Sequence, residues 1–125
     1  MSYEIVWEKD GVKVIATGVF GNDFLQASVE ATTDSRFICA RYAIVDFNRV
    51  TDFPVETETI RLLAESDIRA YKLNPNLKLA IVANETIMTG LTNMYKLYFE
   101  FNNANKAWEM NVFESESDTR DWINN

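Results

Sequence analysis

Few side chains in this sequence offer the chemistry of an enzyme. Its 125 residues include no histidine and a single cysteine, Cys39. Without histidine, a catalytic triad, a histidine general base and the common zinc sites are all excluded, and one cysteine cannot form a disulfide within the chain. The sequence also lacks a glycine-rich phosphate loop and a nucleophile motif. It therefore predicts a non-enzymatic protein with no catalytic residue, no cofactor and no bound metal.

Carboxylates are the reactive groups that remain, and several surround one predicted strand-to-helix connection. Asp46 is predicted to end a strand, and Asp52, Glu56 and Glu58 follow it. Because open α/β sheets bind ligands at the carboxyl ends of their strands, Asp46 and Asp52 are candidate ligand or loop residues, as is Asn84 after the next strand. These oxygens could hold Mg²⁺ or Ca²⁺. Loop hydrogen bonds and acids at a helix N-terminus explain the same spacing without a metal, and we favour that interpretation.

Two hydroxyl groups and one thiol are candidate regulatory groups. Thr57 and Thr59 fall in the first turn of a predicted helix, where free backbone N–H groups favour a phosphate, although the neighbouring glutamates would repel it. We treat both threonines as candidate phospho-switch residues, with two ordinary solvent-facing residues as the alternative. Cys39 has only Arg36 and Arg41 as nearby basic residues in sequence, which predicts a buried structural thiol rather than a reactive one.

Two apolar runs must form the framework that positions these groups. Residues 79–83 are apolar without interruption and follow the turn residues 74–76, and residues 42–45 form a similar run upstream. Strands that are apolar on both faces are normally buried on both faces. Between the runs, residues 56–73 show helical periodicity through Ile60, Leu63, Ala64, Ile68 and Tyr71. The pattern predicts a βαβ unit at the centre of the fold.

The other elements are predicted to pack around this unit. An Asp-Gly turn at residues 10–11 indicates an N-terminal β-hairpin, and Ser115 resembles the start of a capping box for a short final helix. The complete prediction is an α/β single domain over residues 1–125, in the order ββαβαβαβα, with a mixed, mostly parallel five-stranded sheet. Its remaining parts are a helix over 23–34 capped by Asn22 or Asp23, a loop over 47–54, a helix over 86–102 and a strand over 107–113.

The helix over 86–102 carries more apolar residues than one core-facing stripe requires. Its predicted core stripe consists of Ile87, Leu91, Met94, Tyr95 and Tyr98. The surplus residues are interface candidates, and they are Met88, Leu97, Phe99 and Phe101. Surplus apolar surface indicates a contact with a partner or ligand, with homodimerisation as the first interpretation and a small apolar ligand as the second. Burial of both sides within the monomer is the alternative.

Composition narrows the classes of partner and location. The net charge of −7 at pH 7 argues against a general nucleic-acid binder, which needs a basic surface. No apolar run reaches membrane-spanning length, and the first residues do not resemble a signal peptide. These features predict a cytoplasmic protein that does not insert into membranes and binds either another protein or itself.

Four segments resemble the SpoIIAA-like branch of the STAS superfamily, the anti-sigma-factor antagonist fold. They are residues 42–47 with Val50, residues 74–83, Gly90-Leu91 with Met94-Tyr95, and residues 112–115 leading to Trp122-Ile123. The resemblance implies a non-enzymatic, bacterial-type regulatory or protein-interaction module. Phosphoregulated members of the family carry an Asp-Ser-Ser-Gly-like turn where residues 52–59 here have neither serine nor glycine. The comparison of STAS with CRAL-TRIO-like domains adds an alternative, a protein that binds an apolar ligand or lipid.

Overall fold

The computed structural model describes residues 2–101 and 108–125, and the predicted order of elements is confirmed. A short 3₁₀ helix at Ser35–Cys39 is the one addition to that order. The end of the predicted third helix at residue 102 and the start of the predicted last strand at residue 107 lie outside the described residues. The strands are Tyr3–Trp7 (β1), Gly11–Val19 (β2), Tyr42–Asp52 (β3), Lys78–Val82 (β4) and Glu109–Phe113 (β5), and the helices are Asp23–Thr33 (α1), Thr57–Leu73 (α2), Glu85–Phe101 (α3) and Glu116–Ile123 (α4).

The strands form one five-stranded sheet in the order β1-β2-β3-β4-β5. β1 and β2 pair antiparallel around the predicted Asp-Gly turn, where the Glu8 N–H donates to the Gly11 carbonyl at 2.8 Å. The other three pairings are parallel. Because β3 and β4 are parallel neighbours joined by α2, the predicted βαβ unit and the mixed, mostly parallel sheet are both confirmed.

The predicted loop over 47–54 is wrong for its first six residues, because β3 continues to Asp52. β2 also continues, so that Thr17 pairs with Arg49 and Val19 with Asp52 across two irregularities in the register. Phe47 and Val50 are buried in this extension, as their apolar character predicts. Sequence alternation is broken by the irregular register, which is why the extension was not apparent from the pattern.

Three helices cover one face of the sheet and α4 covers part of the other. Val45 and Ile81 point into a core shared with α1, α2 and α3, whereas Ile44 and Val82 pack on the opposite face against Ile123 of α4. The two central strands are therefore buried on both faces, which is the property predicted from their unbroken apolar runs. All five predicted core residues of α3 are buried as well.

Two local predictions near the first helix are corrected by the structure. The sequence pattern predicts an α1 stripe made of Phe24, Leu25, Ser28, Val29 and Thr32. Of these, Phe24 and Thr32 are buried, and Ala27 and Ala31 complete the buried face, so the stripe is made of smaller residues than expected. Asn22 makes no capping hydrogen bond, because its side-chain oxygen accepts one from the Thr59 hydroxyl at 2.8 Å.

The Cys39 thiol is exposed, so the prediction of a buried structural thiol is wrong. The 3₁₀ helix directs Phe37 into the protein, where it packs on Trp108, and leaves Cys39 at the surface.

Gly11 is required by the close approach of an aromatic ring. A Cβ atom at this position would lie 2.5 Å from two carbons of the buried Tyr42 ring. We therefore expect Gly11→Ala to lower the free energy of unfolding by about 1–2 kcal/mol through overpacking, measured by urea denaturation. Gly90→Ala is the matched control, because the nearest atom to its new Cβ is 3.8 Å away. Equal destabilisation by both substitutions would contradict the assignment.

Candidate binding surfaces around α3

α3 lies between two grooves at the protein surface. We call the first the α2–α3 groove; it has a volume of about 160 Å³ and is lined by Phe53, Val55, Thr57, Ile60, Gly90, Asn93, Met94 and Leu97. We call the second the α3–β5 groove; it has a volume of about 270 Å³ and is lined by Met88, Leu91, Thr92, Tyr95, Lys96, Phe99, Met110 and Val112. Three of the four surplus apolar side chains of α3 are thus divided between two separate surfaces.

The position of α3 is fixed at its N-terminus and along its core stripe. The Asn84 side chain accepts a hydrogen bond from the Ile87 N–H at 3.1 Å, so Asn84 caps the helix in the way expected for this residue type. Leu91, Met94 and Tyr98 anchor the same helix in the main core. Both grooves are therefore built on a helix whose start and buried face are firmly placed.

The four interface candidates occupy different parts of this region. Met88 and Phe99 line the α3–β5 groove, and Leu97 lines the α2–α3 groove. Phe101 lines neither of them. All four side chains are half-buried and pack against the main core, so part of the predicted surplus surface is used within the monomer. Their role as interface residues stays a prediction.

Thr57 and Thr59 differ sharply in exposure. Thr59 is buried and donates to Asn22, which links α2 to the start of α1. Thr57 is exposed and lines the α2–α3 groove. Glu58 is paired with Arg61, whose hydrogen bond lowers the pKa of the Glu58 carboxyl. The predicted phospho-switch therefore has one accessible hydroxyl, that of Thr57.

The candidate ligand residues each make local hydrogen bonds. Asp46 accepts from the Asn48 N–H and Asp52 from the Phe53 N–H, both at 2.9 Å. Asp46 also lies within β3 rather than at its end, because the strand is longer than predicted. In residues 2–101 and 108–125, no three acidic or cysteine side chains come together in a group that could hold a metal ion. Both aspartates thus bond to neighbouring backbone N–H groups, and their role as ligand residues stays a prediction.

Asp67 is the functional candidate that the sequence did not reveal. Its buried carboxylate accepts hydrogen bonds from Ser28 of α1 at 3.1 Å and from Tyr98 of α3 at 2.6 Å. Burial raises the pKa of Asp67 to about 6, and the two hydroxyl donors oppose that change. Asp67 lies three residues after Ala64 and four after Leu63, on the buried face of α2. This spacing could have indicated from the sequence that Asp67 is buried.

A second polar network holds α4 against the sheet. Arg120 donates to Glu8 through Nη1 at 2.6 Å and Nη2 at 2.8 Å, and the Tyr42 hydroxyl also donates to Glu8. Lys13 pairs with Glu116 next to it. The Arg120 hydrogen bonds, followed by that from Tyr42, hold the pKa of Glu8 at about 2. Because Glu8 and Arg120 stand at opposite ends of the chain, no sequence pattern connects them.

This architecture is similar to that of several solved structures. No family model and no curated protein matches the sequence. A DUF3478-family protein of Shewanella loihica PV-4, described as having a SpoIIAA-like fold, matches with 16% identity and a TM-score of 0.54, over 97% of this chain and 91% of that one. The unphosphorylated anti-sigma factor antagonist SpoIIAA matches with 13% identity and a TM-score of 0.55, over 98% and 97% of the two chains. The phosphorylated form of the Bacillus cell fate determinant SpoIIAA matches equally well, with 13% identity and a TM-score of 0.55, over 97% and 98%. The predicted resemblance is confirmed at the level of the fold: this chain has a SpoIIAA-like fold.

Proposed function

We propose that this protein is a non-enzymatic regulatory module of the cytoplasm that binds a protein partner in the α2–α3 groove. The fold supports this proposal, since the solved structures that share it include an anti-sigma factor antagonist. The described helices include none that is long and apolar enough to cross a membrane. The observation that carries the proposal is a glycine, Gly90, in the lining of this groove.

Gly90 stands in the interior of α3, where glycine costs about 0.5–1 kcal/mol relative to alanine. Core packing does not require it, because the residue is exposed and an added Cβ would meet only Phe53 at an ordinary distance of 3.8 Å. A partner that approaches the backbone of α3 closely would explain why a glycine is present at this position. It leaves the groove open between Phe53, Met94 and Leu97.

The chemistry of the groove defines the kind of partner. Its lining is mainly apolar, which suits an inserted aliphatic or aromatic side chain. Asp52 and Glu56, which adjoin the lining residues Phe53, Val55 and Thr57 in sequence, are exposed, and the whole chain carries a charge of −7. Complementary charge favours a partner with basic residues around the inserted side chain. A phosphate on Thr57 would add negative charge at the groove and fill part of it, so we propose Thr57 as its switch residue.

Cavity size disfavours an enclosed apolar ligand as the main function. Pockets for small molecules typically hold about 300–1,000 Å³. The cavity between the sheet and helices α1, α2 and α3 has about 50 Å³, and the apolar α3–β5 groove has about 270 Å³ and is open. The open groove is better suited to a protein surface, including that of a second copy of the chain.

Self-association through the α3–β5 groove is part of the proposal and has its own test. Native mass spectrometry of gently purified protein is expected to show a dimer without added mass. Phe99→Asp is expected to shift that dimer to monomer, because it places a charge in an apolar groove. A monomer at micromolar concentration would remove self-association, and a bound additional mass would instead support the carrier alternative.

The docking of a partner is tested with a substitution that fills the groove. Gly90→Leu is expected to retain or raise stability, because leucine favours the helix, and to reduce capture of the partner at least tenfold in quantitative affinity purification. Thr89→Leu adds the same side chain at the neighbouring exposed position, which does not line the groove, and is expected to leave capture unchanged. Equal capture by all three proteins, or no specific capture by any of them, would contradict the proposed site.

Gly90→Ala measures how much this glycine lowers the stability of the helix, independently of partner binding. The substitution is expected to raise the free energy of unfolding by about 0.5–1 kcal/mol, since the added methyl group has room and the helix gains propensity. Urea denaturation measures the change. A loss of stability would mean that the wild-type core needs glycine at this position, and the main observation behind the proposed groove would then disappear.

A further inference from the structure

Within the described part of the chain, a buried polar group lacks a hydrogen-bond partner. Tyr95 is buried in α3, and its hydroxyl group makes no hydrogen bond to any residue in 2–101 or 108–125. Burial raises the pKa of this hydroxyl, and the charge of Asp67 raises it further, so Tyr95 stays protonated and able to donate. A buried hydroxyl with no partner is costly, and native proteins usually satisfy such groups with protein atoms or ordered water.

Tyr95 borders a small cavity that contains other polar atoms. The cavity has about 50 Å³ and lies between the sheet and helices α1, α2 and α3. Its polar lining includes Ser28, Thr32 and Asp67 together with Tyr95. The Ser28 hydroxyl donates to Asp67 and the Thr32 hydroxyl to the Ser28 carbonyl, so both hydroxyls retain lone pairs that can accept. The polar part of the cavity is therefore rich in acceptors, with one available donor in Tyr95.

We propose that this cavity is a binding site for internal water, in which a water molecule accepts a hydrogen bond from the Tyr95 hydroxyl and donates one to the Asp67 carboxylate. The volume of about 50 Å³ admits about one or two water molecules, because each occupies about 30 Å³ in the liquid and needs two to four polar partners. The bound water supplies a donor to the carboxylate besides Ser28 and Tyr98. It joins α2 to α3 at a point where the direct side-chain contacts leave Tyr95 unsatisfied.

Other occupants fit the site less well. An apolar ligand would leave the Tyr95 hydroxyl unsatisfied and would lie against the Asp67 carboxylate. A sodium or potassium ion needs several oxygen ligands, and the rest of the described lining is mainly apolar side chains. Water both accepts from Tyr95 and donates to Asp67, which no monatomic cation can do.

Tyr95→Phe tests the proposal because a hydrated and a dry cavity give opposite results. If water bridges Tyr95 to Asp67, removing the hydroxyl group raises the unfolding equilibrium constant about fivefold, as expected for one lost hydrogen bond. If the cavity is dry, the same change removes an unsatisfied buried hydroxyl and lowers that constant by a similar factor. Tyr71→Phe is the control, because half-buried Tyr71 does not line the cavity, and is expected to have little effect. An unchanged or lowered constant for Tyr95→Phe overturns the proposal.

Direct detection of the water does not depend on the folding of a variant. A high-resolution crystal structure of the wild-type protein is expected to show solvent density within hydrogen-bond distance of both Tyr95 and Asp67. Magnetic relaxation dispersion of the water oxygen is expected to detect at least one long-lived internal water. Xenon density in the cavity of a pressurised crystal would show a dry site and overturn the proposal. A rise in melting temperature when sodium chloride replaces choline chloride at equal ionic strength would also overturn it in favour of a cation.

Discussion

The Asp67→Asn variant is expected to be more stable than the wild-type protein by about 3 kcal/mol at a pH well above 6, and close to it in stability below pH 3.8. The effect originates in the burial of a carboxylate that faces hydroxyl groups on α1 and α3 and, among the described residues, pairs with no cation. Of the described residues that line the adjoining cavity, none is basic. The folded protein therefore stabilises the protonated form of Asp67.

The direction of the stability difference between Asp67→Asn and the wild type follows from the raised pKa of Asp67. Because the folded pKa of about 6 exceeds the ordinary value of 3.8, the folded protein holds this proton more tightly than the unfolded chain does. The contribution to stability is complete below pH 3.8 and is lost as the pH rises through 6. An asparagine does not titrate, so its contribution is the same across this range. Its carbonyl can accept from Tyr98 while its amide donates to the Ser28 oxygen, whose hydroxyl hydrogen can turn away.

The measurement is the difference in unfolding free energy between the variant and the wild type, determined by urea denaturation across this pH range. Subtracting the two curves removes the titration of the other carboxylates, which both proteins share. Asp121→Asn is the matched control, because Asp121 is exposed on α4, and its difference is expected to be small at every pH. A difference for Asp67→Asn that does not change with pH would show that the buried carboxylate is not the titrating group.

The elements that the sequence predicted correctly are those whose pattern is local. The apolar run at 79–83 became β4 and the residues adjoining it because a strand buried on both faces needs no alternation. The α3 stripe was predicted residue by residue, since a helix that packs on one face repeats its apolar positions every three or four residues. The Asp-Gly turn was equally apparent, because its chemistry lies within adjacent residues.

The features that the sequence did not predict depend on contacts between distant segments. β3 extends to Asp52 only because the far end of β2 pairs with it through an irregular register. Asp67 looked like one more charged residue on α2, and its burial depends on Ser28 and Tyr98 meeting it from two other helices. The 3₁₀ helix that exposes Cys39 is likewise fixed by the burial of Phe37.

Only part of the candidate site could be predicted, because the rest also depends on contacts between distant segments. The surplus of apolar residues on α3 could be counted in the sequence, and both grooves lie along this helix. The division into two grooves could not be foreseen, because it depends on where the end of β3 and the start of α2 place Phe53 and Val55 beside Gly90. The role proposed for Gly90 depends on the open space around it, which is known only from the structure.

Arg120→Met is expected to lower the free energy of unfolding by about 2 kcal/mol at neutral pH. The substitution keeps most of the apolar stem but leaves the Glu8 carboxylate without its strongest donor. The Arg120 and Glu8 side chains are 32% and 26% exposed, so the loss is smaller than for a fully buried pair. Because this pair connects α4 to β1, the same change is expected to loosen the cover that Ile123 provides for Ile44 and Val82.

Arg120 pairs with two carboxylates, Glu116 at 3.4 Å and Glu8, and the larger pH dependence is expected from Glu8. Its folded pKa of about 2 lies below the ordinary value of 4.5, so the pair stabilises the protein fully above pH 4.5 and loses its contribution as the pH falls towards 2. The difference in unfolding free energy between the wild type and Arg120→Met is therefore expected to become smaller over that pH range. Urea denaturation at neutral pH and at several lower pH values measures it.

Arg61→Met provides the matched control for the surface environment. Arg61 also contacts two carboxylates, Glu58 and Glu65, but these side chains are 62% and 56% exposed. Solvent screening makes exposed pairs worth about 0–1 kcal/mol, so the control is expected to lose well under half as much stability as Arg120→Met. Equal losses from the two substitutions would mean that burial adds nothing to the Arg120 network. In that case the attachment of α4 would depend on its other contacts, which include the Lys13–Glu116 pair and the apolar contacts of Trp122 and Ile123.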